Sequence, residues 1–416
     1  TPTLDTGNTA WMMMSTILVL LMSIPGIALF YGGLVRQKNV LSVVMQTMLI
    51  VGAVSLIWVA FGYSWAFDDS YKASGSPLFF IIGGWGKAFL HGVTTDKLMP
   101  TGIPELTFVM FQCMFALITP ALILGAFAER IKFKGYMVFT LLWVIIAYLP
   151  MAHWVWGGGF LQDMGAIDFA GGTVVHINAG VSALVMALMI GKREDYRVGH
   201  PITPHNIMFV FLGTSFLWLG WFGFNAGSGL AADGLDANAF LVTHVATATA
   251  AMTWMTVDWC FNKKPTTVGA CTGAVAGLVA ITPAAGTVDL LGAFAIGVIT
   301  PIVCFIMVAA VKPYFKYDDA LDAFGVHGVG GIIGSILTGV FATQYITGEG
   351  GVEGALYGGW HQLWVQLVAT GVSIVFALVV TTILFLVVDK TIGIRVDKRV
   401  EEEGLDIYEH GESAYN

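Results

Sequence analysis

The spacing of the charged residues constrains this chain more than any other feature. Asp, Glu, Lys and Arg divide the 416 residues so that eleven long runs carry no charge. A helix needs roughly 20 apolar residues to cross a bilayer, and even the shortest run meets that length. Barrel strands are disfavoured because the runs lack a period of two and are about twice too long. Each run therefore predicts one transmembrane helix, at 6–35, 39–67, 106–128, 135–162, 169–191, 198–232, 237–257, 265–288, 290–311, 323–348 and 354–388.

The composition agrees with a membrane protein. Apolar residues make up 56% of the chain and charged residues 11%, against roughly 25% charged in an average soluble domain. The mean hydropathy is +0.78, and the 51 glycines suit closely packed transmembrane helices. This composition excludes a disordered chain, a nucleic-acid binder and an ordinary cytosolic enzyme. The remaining long interval, 70–104, contains several charges, Gly and Pro, and is predicted to be an extramembrane loop.

The basic residues predict the orientation. Eleven spans place the two ends of the chain on opposite faces of the membrane. With the N-terminus outside, all but three of the 19 Lys and Arg residues face the cytoplasm, and only Lys72, Lys87 and Lys97 lie outside. The positive-inside rule favours this orientation. We therefore predict a membrane domain over 1–389, N-terminus out, and a cytoplasmic tail over 390–416. The first residue is Thr1 rather than Met, which would suit a cleaved signal peptide.

Two short matches within the sequence suggest an internal repeat. The four residues Ile-Thr-Pro-Ala occur at 118–121 in the third run and again at 281–284 in the eighth, and His176 in the fifth run is matched by His327 in the tenth. Both pairs are five spans apart, so their members run in opposite directions through the membrane. This pattern predicts a five-plus-five inverted repeat with one extra helix, and a substrate path at the repeat interface.

Ionisable residues inside a membrane are functional candidates. His153, His244 and His361 lie toward the ends of their runs, where an interfacial position is expected. His176 and His327 differ, because small residues three and four positions away share their helix faces and predict close packing against other helices. Each could be an interhelical hydrogen-bonding residue, but two at repeat-equivalent positions favour a shared pair that lines a pore. No metal or cofactor is predicted, because no Cys or carboxylate would complete a zinc site.

Asp168 and several aromatic residues complete the set of candidates. Asp168 directly precedes the fifth run, where it could cap the helix or act as a buried acid at the entrance of a cation path. Trp156, Phe111 and Phe224 lie in or near runs of small residues, where rings can approach a narrow path. Ring faces bind a desolvated cation with roughly 0.5–2 kcal/mol each.

At these residues the chain resembles the ammonium transporter (Amt/Rh) family, and in particular bacterial Amt-type members. The similarity extends from the first predicted span into the tail. The motifs that carry it are PGIALFYGG at 25–33, DFAGGTVVHIN at 168–178, GWFGFNAGS at 220–228, FGVHG at 324–328, GLD at 404–406 and HGESAYN at 410–416.

The resemblance implies a homotrimer of eleven-helix subunits in the inner (plasma) membrane, each with its own pore. Trp156, Phe111 and Ser228 correspond to an outer site that recruits ammonium, and Phe111 and Phe224 to stacked gating rings. His176 and His327 correspond to a pair of pore histidines, and Asp168 to an essential acid at the entrance. The cytoplasmic loops and tail resemble the surface that PII-type signalling proteins bind.

The predicted function is therefore transport: ammonium is recruited outside, loses a proton, and ammonia crosses an apolar pore, with net transfer of a proton or charge. The imidazoles can both donate and accept, which suits them to guide ammonia or relay a proton. Three alternatives remain. They are an ammonium sensor that signals through its cytoplasmic face, an Rh-like neutral gas channel, and an intramembrane enzyme, which the absence of a nucleophile motif disfavours.

Overall fold

The computed structural model describes residues 2–415, so the predicted placement of Thr1 and Asn416 on opposite faces lies outside the described residues. Over 2–415 the fold is helical, with isolated bridges in place of β-strands. The eleven principal helices are α1 Thr6–Leu34, α2 Gln37–Phe67, α3 Glu105–Phe127, α4 Phe133–Asp163, α5 Gly172–Ile190, α6 Ile207–Gly229, α7 Gly234–Asn262, α8 Thr267–Ile281, α9 Leu290–Phe315, α10 Phe324–Phe341 and α11 Trp360–Thr391.

Each charge-free run overlaps one of these helices, several of which extend a few residues beyond their run. Ten of them are long and apolar enough to cross a membrane, which confirms an all-helical fold with many apolar spans. The exception is α8, which has 15 residues and ends at Ile281 although its run extends to 288. Pro283 follows two residues later, and a proline lacks the backbone N–H that a continuing helix would need. The eleventh span and the orientation stay predictions.

The helices differ in how deeply they lie in the fold. The most apolar window of α3 is 94% buried and that of α5 is 83% buried, whereas that of α9 is only 28% buried. Hydropathy does not reveal this difference, because the mean hydropathy of α3 is 2.0 while the largely exposed α7 and α9 lie on either side of it, at 1.3 and 2.6. Helices α3 and α5 therefore form the centre of the subunit, where a path through it would run.

Helices α5 and α10 cross with their backbones in close contact. A Cβ added to Gly180 would lie 2.0 Å from the backbone nitrogen of Gly328, and one added to Gly331 would lie 3.0 Å from the Cβ of His176. Only glycine fits at such a crossing. The expectation that His176 and His327 lie on small, packed helix faces is confirmed.

Both helices also begin in the same irregular way. The first residues of α5, Gly172–Ile177, and of α10, Phe324–Gly328, are π-helical, and each segment contains one of the two histidines. π-Helical turns are rare and are frequent at functional sites. This shared local geometry agrees with the predicted equivalence of the two histidines.

The interval 70–104 forms a loop with three short helical pieces, Ser70–Ala73, Pro77–Phe80 and Ala88–Leu90. The predicted loop is therefore confirmed as a segment without a long helix. It folds back over the ends of α2 and α4, where Ser64 and His153 contact its backbone.

Candidate functional site

Asp168 organises the N-terminus of α5. Its carboxylate accepts hydrogen bonds from the backbone N–H groups of Gly171 (2.9 Å), Gly172, Thr173 (2.9 Å) and Val174 (3.1 Å), and from the Thr173 hydroxyl (2.6 Å). A carboxylate that satisfies the unpaired N–H groups of a first helical turn stabilises that turn. The side chain is thus a helix cap, one of the two interpretations that the sequence left open, and it fixes the segment that carries His176.

Trp156 is tied to the same residue. Its indole N–H donates to the backbone carbonyl of Asp168 at 2.8 Å, so the ring has a fixed orientation at the end of α4. The ring is partly buried and meets Phe115 edge-on, with 5.7 Å between centroids and 90° between planes. The Trp156 ring and the first turn of α5 therefore share one anchor, Asp168.

The stacked ring pair differs from the sequence prediction. Phe224 stacks on Phe115, with 4.4 Å between centroids and 27° between planes. Phe111, which was predicted to stack on Phe224, instead contacts Phe115 edge-on at 5.0 Å and 72°. The prediction is wrong in this detail because Phe111 lies one helical turn from Phe115 and faces Gly227 of α6.

Ser228 lies at the end of α6, half-buried beside these rings. Its hydroxyl donates to the Phe224 carbonyl at 2.7 Å. Once that donor is used, the oxygen lone pairs remain free to accept a hydrogen bond from a cation. Ser228 thus lies one helical turn from Phe224, whose ring stacks on Phe115. Trp156 and Phe111 both contact Phe115.

His176 and His327 lie side by side. Their Nδ1 atoms are 3.2 Å apart and their rings are nearly parallel, at 11°. Trp221 stacks on His176 with 5.3 Å between centroids, and Phe224 lies 6.0 Å from the same ring. Both side chains are buried, and His176 Nε2 is without a hydrogen-bond partner among the described residues. A proton shared by the Nδ1 atoms leaves one Nε2 as an acceptor and the other as a donor.

The other histidines serve different purposes. His244 and His361 are exposed on α7 and α11, and their interfacial position stays a prediction. His153 is fully buried, because the 70–104 loop covers it. Its Nδ1 lies 3.2 Å from the Ala66 carbonyl oxygen and its Nε2 lies 2.8 Å from that of Phe79. This histidine holds the outer loop and does not join the pair.

A cavity of about 480 Å³ adjoins His327 on the side away from Trp156. Leu34 and Tyr31 of α1, Tyr196 and Asp322 line it together with the histidine. Asp322 forms an ion pair with Lys312 at 2.6 Å on its wall. The row of rings and histidines therefore leads from Trp156 to a polar vestibule beside the α5–α6 and α9–α10 connections.

A buried ionic cluster below this vestibule was missed by the sequence analysis, which used charged residues only as topology markers. Arg193 pairs with Glu129 and Asp318, each at 2.8 Å, and Arg36 pairs with Glu129 at 3.0 Å. Burial alone would raise the pKa of Asp318, but the Arg193 hydrogen bonds and the charge of Arg130 lower it to about 2. The cluster joins four inter-helix connections at the vestibule end of the subunit.

The tail docks on its own subunit. Asp406 accepts from the backbone N–H groups of Leu41 (3.0 Å) and Ser42 (2.8 Å) in the first turns of α2, and Glu409 accepts from Phe133 N–H (2.8 Å) at the start of α4. Carboxylates are favoured at helix N-termini. The contacts are therefore made mainly to helix ends rather than to basic side chains.

Over residues 2–415 no three His, Cys, Asp or Glu side chains gather in a way that could hold a metal ion. The candidate site consists of aromatic rings, two imidazoles and a capped helix. Such a site can bind and guide a small solute or move a proton, but it offers no set of metal ligands.

Comparison with known proteins gives a consistent result. The model of the Ammonium Transporter Family matches residues 10–415. An ammonium transporter of Aquifex aeolicus is 48% identical over 414 residues, covering 99% of this chain and 94% of that one. An ammonium transporter of Bacillus subtilis is 47% identical over 410 residues, covering 98% of each chain.

Solved structures agree in fold. The crystal structure of Saccharomyces cerevisiae Mep2 superposes with a TM-score of 0.86 at 36% identity, covering 95% of this chain and 88% of that one. A structure described as a sensor Amt protein superposes with a TM-score of 0.88 at 31% identity, covering 97% and 98%. The similarity therefore extends over the whole set of principal helices.

Proposed function

This chain belongs to the ammonium transporter family, a family of membrane transporters and not an enzyme class, and from that premise we propose how it transports ammonium. Ammonium binds at the outer aromatic end, gives up a proton, and crosses as ammonia beside the paired histidines. The proton follows by a separate route, so that each cycle carries net charge.

One observation carries this proposal most strongly, namely the unbroken column of rings. Trp156 touches Phe115, Phe115 stacks on Phe224, and Phe224 lies 6.0 Å from His176, whose Nδ1 is 3.2 Å from that of His327. A small neutral solute can pass along such a column with ring faces and imidazole nitrogens as its contacts.

The outer end is suited to a cation. Ammonium can contact the face of the Trp156 ring while the N–H groups of the cation donate to the Ser228 oxygen. Phe111 lies farther away, on the other side of Phe115. The Ser228 hydroxyl proton is already directed at the Phe224 carbonyl, so the oxygen presents lone pairs. These features favour binding of a cation that has hydrogen-bond donors.

The pore beyond this point is unsuited to the cation. The stacked Phe115 and Phe224 are fully buried, and an isolated charge in such surroundings is strongly unfavourable. Ammonium can avoid this penalty by leaving a proton behind, whereas potassium has no proton to give up. The gate formed by Phe115 and Phe224 therefore selects for a solute that can become neutral.

The histidines supply the polar contacts that ammonia needs once it is inside. With one proton between the Nδ1 atoms, the pair offers one donor and one acceptor nitrogen to the path. Asp168 supports this arrangement because it caps α5. We propose that Asp168 links the entrance to the helix that carries His176 and does not contact the cation directly.

We further propose the arrangement of the protein in the cell. It spans the inner (plasma) membrane eleven times as a homotrimer, with the tail in the cytoplasm. The exposed apolar side chains of α1, α2 and α9 suit lipid or a neighbouring subunit. The docked tail and the adjacent loops form the surface on which a PII-type signalling protein would bind.

Electrical recording on purified protein in liposomes tests the proposal. An ammonium pulse should give a transient current, and an equal potassium pulse should give none. Ammonium uptake without current would favour neutral conduction of the Rh type. If the protein responds to ammonium without any flux, it acts as a sensor, and the transport proposal is wrong.

A further inference from the structure

Gln366 of α11 is a buried amide whose hydrogen-bonding groups are all occupied. It is only 1% exposed. Its Oε1 accepts from Ile167 N–H at 2.7 Å and from the Gln362 amide at 3.0 Å. Its Nε2 donates to the Ile167 carbonyl at 2.8 Å and to the Ser335 carbonyl at 3.1 Å. The side chain thus pairs with both backbone groups of Ile167, as a neighbouring strand would.

The residue that this amide holds lies at a critical place. Ile167 directly precedes Asp168, whose carbonyl accepts the Trp156 indole N–H and whose carboxylate caps α5. Ser335, the other contact, belongs to α10, which carries His327. One side chain from the helix outside the predicted repeat therefore contacts both α10 and the segment that leads into α5.

The chemistry of these contacts requires an amide. The carbonyl oxygens of Ile167 and Ser335 accept hydrogen bonds, and the Ile167 N–H donates one. The planar amide of Gln366 supplies all three partners. A carboxylate would face both carbonyls with its lone pairs, and an apolar side chain would leave the partly buried backbone of Ile167 without these partners. Buried polar groups that lose their partners are strongly destabilised, so the backbone would move.

We propose that Gln366 is a positioning residue for the outer end of the transport path. By fixing the backbone at Ile167, it places the Asp168 carbonyl where it orients the Trp156 ring. This inference rests on the proposed function, because it concerns the ring that recruits ammonium.

The test compares Gln366→Met, which keeps the volume but removes the amide, with Ser373→Ala. Ser373 is equally buried in α11. Its hydroxyl donates to the Ala369 carbonyl of the same helix at 2.8 Å, with Met151 Sδ of α4 at 3.6 Å, and it does not contact Ile167. In folded, reconstituted protein, Gln366→Met should weaken the apparent affinity for ammonium about tenfold. Ser373→Ala should leave the affinity unchanged. Gln366→Glu provides a second variant of nearly the same shape and should act in the same direction.

A double-mutant cycle distinguishes positioning from general stability. If Gln366 acts through Trp156, then Gln366→Met should add little to the affinity loss caused by Trp156→Leu, because both changes remove the same oriented ring. Ser373→Ala combined with Trp156→Leu should match Trp156→Leu alone. An unchanged affinity in Gln366→Met, or fully additive losses, would overturn the inference.

Hydrogen exchange provides a readout that does not require transport. Amides in 165–174 should exchange faster in Gln366→Met than in the wild type, while Ser373→Ala should leave that segment protected. If the wild type transports no ammonium, the proposed function fails, yet exchange in 165–174 still decides whether Gln366 holds this segment. Unchanged exchange there would rule out the positioning role.

Discussion

Asp168 and Asp319 occupy matching places in the chain, each eight residues before one of the two paired buried histidines, at 176 and 327. The Asp319 carboxylate accepts from the backbone N–H groups of Ala323 (3.0 Å) and Phe324 (2.8 Å) at the start of α10, as the Asp168 carboxylate does at the start of α5. Each histidine is therefore presented by a π-helical first turn that a buried acid anchors.

Replacing Asp319 should affect passage but not recruitment. Asp319→Asn weakens the anchor of the His327 turn, so we expect a lower maximal rate with unchanged apparent affinity, since Trp156 lies at the other end of the path. The matched control is Asp289→Asn. Asp289 caps α9 through Gly292 N–H at 3.1 Å, and α9 carries no pore histidine. Both variants should lose stability, by about 1 kcal/mol, in thermal unfolding. Equal transport rates in the two variants would contradict the role given to Asp319.

The positions of the helices could be predicted from the sequence, because a bilayer requires long apolar runs. The stacked rings could not. Phe111 and Phe115 are four residues apart and share one face of α3, so helical periodicity does not decide which of them meets Phe224. That choice depends on how α6 is placed against α3, which is a tertiary relationship.

Other features escaped the sequence analysis for related reasons. Gln366 is uncharged, and a search for ionisable residues in the spans does not detect it. His153 lies near the end of its run, but burial depends on the path of the 70–104 loop. The buried partners of Arg193 come from separate inter-helix connections, so no local spacing brings them together.

The ring gate is tested by comparing Phe115→Ala with Phe111→Ala. Removal of Phe115 unstacks Phe224 and opens an apolar constriction to water, so discrimination against potassium should weaken. Phe111→Ala deletes a ring of equal size on the same helix face and leaves the stacked pair in place, so potassium should stay excluded. Flux of both ions through liposomes checks this. Equal potassium leakage in both variants would place the barrier elsewhere.

The paired histidines should govern what passes. Replacing one of them by Asp introduces a possible anion, so transport should persist with weaker discrimination against potassium. Replacing both His176 and His327 by Ala removes the donor and the acceptor, and should leave either a blocked pore or an unselective leak. Ammonium and potassium fluxes of purified, demonstrably trimeric protein measure this. If the double variant keeps the rate and selectivity of the wild type, the proposed role of the two histidines is wrong.

The tail contacts predict a regulatory effect that spares the membrane domain. Asp406→Ala removes the cap on Leu41 and Ser42, and deletion of 404–416 removes the whole docked segment. Both should alter transport or binding of a PII-type protein, while the melting temperature changes little, because α1–α11 keep their contacts. Glu412→Ala changes an exposed tail acid whose side chain makes no hydrogen bond within residues 2–415, and it should behave as the wild type. Unchanged transport and unchanged binding on deletion would show that docking has no functional role.

The ionic cluster predicts an acid-sensitive stability with a defined sign. The pKa of Asp318 is lowered from 3.8 to about 2, because the Arg193 hydrogen bonds and the Arg130 charge outweigh the effect of burial. A lowered carboxyl pKa contributes stability that is complete above pH 3.8 and is lost as the pH falls toward 2. The contribution is about 2 kcal/mol, and it should appear as a falling melting temperature between pH 4 and pH 2.

In Asp318→Asn the cluster keeps Arg193 and Arg130 buried without that anion, so the protein should be less stable at neutral pH and its melting temperature should depend less on pH in this window. Glu403→Gln, which affects an exposed ion pair with Arg399, should follow the wild type. If Asp318→Asn shows the same acid dependence as the wild type, then another group causes it.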